Sequence, residues 1–167
     1  KGKEDAFEMS RTILNISLAI FILITILIFV FAQPLIAGFI APGFAPEKQS
    51  QVVSLTRVIL FGQIILVLGS FFIGISQSFQ RFIIPSLSPV FYNFGIILGI
   101  IFLSKNFGIL GAAYGVVIGA FLHAAIQVPL IWSMGFRFKF PLKFWSSGVK
   151  EIMQLMSVRT IGLAAEQ

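Results

Sequence analysis

The chain has 167 residues, of which 57% are hydrophobic and only 11% charged, and its mean hydropathy is +1.00. Soluble domains run nearer half apolar and a quarter charged, so this balance excludes an ordinary globular domain. It supplies enough apolar residues for about four bilayer crossings of roughly 20 each. The net charge of +6 does not indicate nucleic-acid binding, because the cations flank apolar runs instead of forming a basic face interleaved with exposed aromatics. The absence of cysteine excludes thiolate metal sites, disulfides and cysteine nucleophiles.

In chain order, residues 1–11 (KGKEDAFEMSR) form a polar, helix-compatible lead-in suited to the membrane surface. This is a mixed-charge segment and not the basic start of a signal peptide. The chain opens without an initiator Met and stops inside a helical pattern, so it reads as a piece of a longer protein. No charge occurs between Thr12 and Pro46. The spacing predicts a first span over 12–32, ended by Gln33-Pro34. LIAGFIAPGF (35–44) is too short to cross and reads as a short interfacial helix and turn. A second span is expected over 52–75, with Arg57 near its start, Gln63 near mid-bilayer, and Gly62, Gly69, Ser70 and Gly74 as small packing residues.

Gly74–Gly95 (GISQSFQRFIIPSLSPVFYNFG) interrupts the hydrocarbon. Arg81 follows the polar run Ser76, Gln77, Ser78 and Gln80, and Pro85 and Pro89 follow it. A proline lacks the amide hydrogen that a helix interior needs, so both are expected in the first turn of a new helix. The segment reads as a charged hairpin at a membrane surface. A third span over 85–104 carries Asn93, Gly95 and Gly99, with Lys105-Asn106 as the next turn. A fourth, over 109–132, opens on two overlapping GxxxG steps (Gly111, Gly115, Gly119) and continues through His123, Gln127 and Pro129. MGFRFKFPLKFW (134–145) is basic and aromatic, as an interface requires. Residues 145–167 read as a partial fifth helix. The fold class is therefore all-α: one polytopic transmembrane helix bundle over 1–167, with four full spans, an interfacial helix and a partial fifth span.

With four crossings, Lys1, Lys3, Arg11, Arg81, Arg137, Lys139, Lys143 and Lys150 share one side, and Lys48, Arg57 and Lys105 the other. The positive-inside rule then makes the N-terminal side cytoplasmic.

Catalytic chemistry is poorly supplied. There is one histidine, and GxSxG, HExxH and GxxxxGK[ST] are all missing. An intramembrane serine protease would need His123 as base beside Ser70 or Ser88. The informative residues are polar groups inside the bilayer, each costly unless it finds a partner or water: Gln63, Asn93, His123 and Gln127. Asn93 and His123 lie roughly eight and ten residues from the same face, about 12–15 Å deep, so a hairpin of spans three and four would bring them together. The bland reading is an interhelical hydrogen bond; the sharper one is a cavity-lining or proton-linked role. Arg57 and Arg81 read as topology anchors, or as contacts to an anionic lipid or substrate phosphate. No cofactor or metal is implied.

Five blocks occur in order: APGF (41–44), LTR (55–57), G-x-x-Q-S-x-x-R-F (74–82), P-x-x-x-P-x-x-x-N (85–93) and G-I-x-G-x-A-x-G-x-x-x-G (108–119), the last followed by Gln127 and Pro129. Together they resemble the MurJ/MviN family of lipid II flippases, within the superfamily of multidrug, oligosaccharidyl-lipid and polysaccharide exporters. The chain would correspond to the third to sixth of fourteen helices and the start of the seventh. It departs from the family pattern at Gln77 (usually Asn), Phe79 (commonly basic) and Ser157 (usually Pro).

The resemblance implies alternating access by two rocking helical lobes, carrying the anionic head of a polyprenyl-linked peptidoglycan precursor, lipid II, across a bacterial plasma membrane. It also implies membrane lipids and the protein's remaining helices as partners. The family's substrate-gripping arginines lie chiefly on the first, second and eighth helices, so no binding residue carries over to this stretch. The alternatives are a polysaccharide or O-antigen lipid flippase or drug exporter of the same superfamily, a non-transporting membrane scaffold subunit, or an intramembrane enzyme.

Overall fold

The computed structural model describes residues 2–137. All regular structure among them is helical. Four stretches are long and apolar enough to cross a membrane: Ala6–Ile40, Pro46–Ser78, Ile83–Phe107 and Ile109–Ser133. The predicted all-helical, four-span organisation is therefore observed; the partial helix expected over 145–167 lies outside the described residues. The chain divides into two compact units, one of residues 1–17 with 137–167 and the other of residues 18–136.

Helix α1 (Lys3–Leu35) continues through Pro34, where the sequence predicts an end. A proline this close to a C-terminus removes one donor, that for the Val30 carbonyl, from a helix already many turns long. A wide helical turn, Ile36–Ile40, follows without a break and closes with the Ala41 amide donating to the Ile36 carbonyl at 2.8 Å. The expected short helical segment at 35–44 is thus an extension of α1, and the chain reverses only over 41–45. There the Gln49 side chain donates to the Ala41 carbonyl (3.1 Å). Pro46 opens helix α2 (Pro46–Ser78) at a position where its missing amide costs nothing.

In the smaller unit, Arg11 is buried. Its Nε donates to the Arg137 carbonyl at 2.7 Å, and a guanidinium nitrogen lies 4.0 Å from the Glu4 carboxylate. A cation that the charge pattern treats as a surface anchor is therefore also a structural donor.

The hairpin after α2 is tighter than the composition suggests. The Arg81 amide donates to the Ser76 carbonyl (2.9 Å) and the Gln80 amide to the Gln77 carbonyl (2.9 Å), with Gln80 at φ 58°. This is a Schellman cap with Gln80 in the left-handed position that glycine usually takes. Helix α3 (Ile83–Leu98) starts two residues beyond Arg81. Pro85 is in its first turn as expected, whereas Pro89 falls in the second and is held inside the helix.

The third span continues through a wide turn, Gly99–Leu103, into the short helix α4 (Ser104–Phe107). The reversal comes at Gly108, with φ 56° and ψ −137°, and not at Lys105-Asn106. The two polar residues mark where water begins, but only a glycine takes that backbone conformation without strain. Helix α5 (Ile109–Ala125) follows, and after a break at 126–127, helix α6 (Val128–Ser133) completes the fourth span.

Small residues dictate how the spans meet. A methyl group added at Gly95 would fall on the backbone of Gly119, and one at Gly99 on the backbone of Gly115. One at Gly111 would strike Leu103 and Ser104. The paired numbers fall on one side as they rise on the other, so α3 and α5 are antiparallel in backbone contact. In contrast, Gly62 faces Val116 and Val117, while Gly69 faces His123 and Ala124. Those numbers rise together, so α2 and α5 run parallel. In lipid no hydrophobic effect drives helices together, and close backbone approach is what gives such packing its dispersion energy.

Candidate functional site

Among the described residues of the 18–136 unit, side-chain hydrogen bonds pass from one span to another at two places, a buried layer where α5 breaks and a contact of α1 with α2. Pro129 supplies no amide for the Ala125 carbonyl, so the fourth span cannot continue as regular helix. At the break, the Gln127 amide donates to the Ala124 carbonyl (3.1 Å). That leaves the His123 carbonyl without its usual i+4 donor. The Gln127 side chain replaces it: Nε2 donates to the His123 carbonyl at 3.0 Å and to the Gly69 carbonyl of α2 at 3.1 Å. Two carbonyl partners for one atom identify it as the amide nitrogen. Gln127 is completely buried, so one side chain both repairs the proline break and ties the fourth span to the second.

His123 is buried one turn earlier, against Gly69. Its imidazole stands edge-on to the Tyr92 ring of α3, with centroids 6.5 Å apart and planes at 82°. The expected contact of His123 with Asn93 is not made. Asn93 is exposed, and its Nδ2 donates to the Pro89 carbonyl of its own helix at 2.9 Å. Consecutive residues point about 100° apart around a helix, so α3 turns Tyr92 toward α5 and Asn93 away. The third and fourth spans are held by ring and glycine contacts in place of an amide–imidazole bond.

Within this layer His123 Nδ1 and Gln127 Oε1 are buried and have no hydrogen-bond partner among the described residues, and Ser76 Oγ, further along α2, shares that condition. His123 is the chain's only histidine, and around it are glycine, alanine, a tyrosine ring and an amide. The arrangement can fix three helices and take one more hydrogen-bonding group. It contains no nucleophile paired with a base. Of the two serines considered beside His123, Ser70 is exposed and Ser88 donates its hydroxyl to the Ile84 carbonyl (3.2 Å).

The second place is α1 against α2. Half-buried Arg57 donates from Nε to the Phe29 carbonyl at 3.3 Å, with its guanidinium carbon 5.0 Å from the Phe29 ring centre. Phe29 in turn meets Phe61 edge-on at 6.0 Å. Gln63 is half-buried and makes no hydrogen bond to another described residue. Arg81 is exposed at the hairpin, where its backbone completes the cap.

Of the six candidate residues, the structure brings together only His123 and Gln127. Sequence reasoning missed Tyr92 and Phe29, since nothing in an apolar run marks which ring faces a partner. The steps Gly95–Gly99 and Gly115–Gly119 carried a usable signal, being two four-residue glycine spacings on adjacent spans.

Four apolar spans, packed by glycines and stitched by a buried amide, define a multi-pass helical membrane protein. The comparisons with known proteins narrow this. The profile of the family described as lipid II flippase MurJ matches residues 1–167, and the chain belongs to that family. Relatives described as probable lipid II flippase MurJ include one from Borreliella burgdorferi, 30% identical over 83% of this chain and 27% of the relative. One from Treponema pallidum is 35% identical over 70% of this chain and 23% of its own length. One from Buchnera aphidicola is 31% identical over all of this chain and 33% of the relative. The chain thus spans no more than about a third of the length of these relatives. No solved structure gives a significant match.

Proposed function

We propose that this chain forms part of one lobe of a lipid II flippase of a bacterial plasma membrane, and that its 18–136 unit moves as a rigid body during alternating access. Family membership over the full 167 residues favours this transporter over a drug or polysaccharide exporter or a scaffold subunit. The observation that carries the mechanical part is the backbone contact of α3 with α5 at Gly95–Gly119 and Gly99–Gly115, reinforced by the Gln127 link to α2. Packed interiors deform little, so a body joined this way rocks as a unit and does not shear internally. In this reading the N-terminus and the Arg81 hairpin face the cytoplasm. The transported head group binds elsewhere in the full-length protein, and the 18–136 unit supplies framework.

The test is made on the full-length protein reconstituted with lipid II. Spin labels at the exposed positions Phe61 and Phe121 should keep one distance distribution with and without substrate, while labels on helices outside this chain shift against them. Protection of lipid II from an external modifying reagent should reverse with time. A changing Phe61–Phe121 distance would refute the rigid body; failure to move lipid II while moving another lipid-linked sugar would refute the substrate.

A further inference from the structure

We propose that the cleft between α1 and α2 is a site for an anionic phospholipid of the surrounding bilayer, with the phosphate on Arg57 and part of one acyl chain between the helices. This goes beyond the reading above, in which the transported head group binds elsewhere in the full-length protein. At the end nearest the 41–45 turn, the two helices are closed by Ala32, Ile36, Ala41 and Val53. Away from the turn their side chains part and leave a cleft of about 180 Å³, lined by Thr25, Ile26, Phe29, Leu60, Phe61 and Ile64. Ile26 and Phe61 are themselves exposed, at 53% and 58%, so the cleft opens outward along an apolar surface.

Arg57 does not line the cleft itself but lies one turn before Phe61 on α2, with its guanidinium stacked on the lining residue Phe29. Of the five N–H donors of a guanidinium, one is used on the Phe29 carbonyl. The other four have no partner among the described residues. Unpaired donors on a membrane helix are costly, and a phosphate recovers them through two parallel charge-assisted bonds. The Nε bond and the stacking on Phe29 hold the guanidinium plane before any ligand arrives, which lowers the cost of binding.

The occupant must therefore carry an anion within about one helical turn, about 5.4 Å, of an apolar chain. Inorganic phosphate lacks the chain. At about 30 Å³ per water-sized group, the cleft of about 180 Å³ seats roughly six heavy atoms, a short length of one chain.

The experiment uses the full-length protein in detergent, loaded with equal phosphatidylglycerol and phosphatidylcholine and read by native mass spectrometry. Phosphatidylglycerol should be retained about tenfold over phosphatidylcholine, and Arg57→Gln should reduce that ratio to within about twofold. Leu60→Trp, which fills the cleft and leaves the charge, should abolish retention of phosphatidylglycerol. Should Arg57→Gln fail to fold, Arg57→Lys decides, because it keeps the charge and loses the paired geometry: a ratio reduced at least threefold supports the site. An unchanged ratio in either arginine variant overturns the proposal. So does displacement of phosphatidylglycerol by an equal amount of a polyprenyl pyrophosphate, which would assign the cleft to the carrier lipid. No preference in the unmodified protein also overturns it and leaves an acidic side chain of another helix as the partner of Arg57.

Discussion

Gln127 donates to the Gly69 carbonyl at 3.1 Å from the point where Pro129 breaks the fourth span. The bond joins two parallel helices, α2 and α5, through a side chain with no exposure at all. Both acceptors of Gln127 are helix carbonyls, and the Gly69 carbonyl keeps its own place in α2. Removing the amide does leave the His123 carbonyl, which has lost its own i+4 donor at the break, as a buried acceptor without a partner, and that unsatisfied group sets the size of the loss.

Gln127→Leu is accordingly expected to lower stability by about 1–3 kcal/mol, measured by reversible denaturation of the full-length protein in mixed micelles. A loss several times larger would mean that Gln127 Oε1 also has an essential partner.

The glycine seam makes a sharper contrast. At Gly99 even one methyl group falls on the Gly115 backbone, whereas at Gly74 it meets nothing within 4 Å. Gly99→Ala should separate α3 from α5 and abolish a monodisperse folded peak. Gly74→Ala should be neutral, or stabilising by up to about 1 kcal/mol, from the ordinary cost of glycine in a helix. Equal behaviour of the two variants in size-exclusion chromatography would contradict the register described above.

Gln80 occupies the left-handed position of the α2 cap at φ 58°, and conformations of that kind cost a non-glycine residue roughly 1–2 kcal/mol. Gln80→Gly keeps both capping bonds and removes the strain, so it should raise thermal stability. A fall in midpoint temperature would show that the glutamine side chain holds the hairpin in some other way.

The proposed orientation rests on the distribution of cations and is open to direct measurement. Arg81→Cys in full-length protein should resist an impermeant thiol reagent added outside intact cells and react after the membrane is opened. Labelling from outside would reverse the proposed topology of every span.

How much of this the sequence displayed depends on the kind of force involved. Uncharged runs of bilayer length announce spans because lipid excludes charge, and α1, α2, α3 with α4, and α5 with α6 all follow those runs. Turns were legible only by composition. Lys105-Asn106 marked the water, while the chain reversed at Gly108, where backbone sterics decide. Pro34 and Pro89 read as boundaries, yet each lies inside a helix whose other bonds outweigh one missing donor. The candidate site was half visible. Gln127 and His123 stand out as polar groups in hydrocarbon, but which neighbour each meets depends on helix rotation, which hydropathy does not encode.

That rotation can be measured where α3 meets α5. His123 and Tyr92 are in edge-to-face contact at 6.5 Å, while Asn93 bonds within its own helix. Ring pairs of this kind couple by about 0.5–1.5 kcal/mol, whereas residues without a shared partner add independently to within about 0.3–0.5 kcal/mol. A double-mutant cycle of Tyr92→Leu with His123→Leu should therefore show coupling, and Asn93→Ala with His123→Ala should show none. Both are read from stability in the same micelles, so any general weakening of the fold cancels. If the asparagine cycle couples and the tyrosine cycle does not, α3 is rotated by about one residue, or 100°, and the contacts of Gly95 and Gly99 with α5 fail with it.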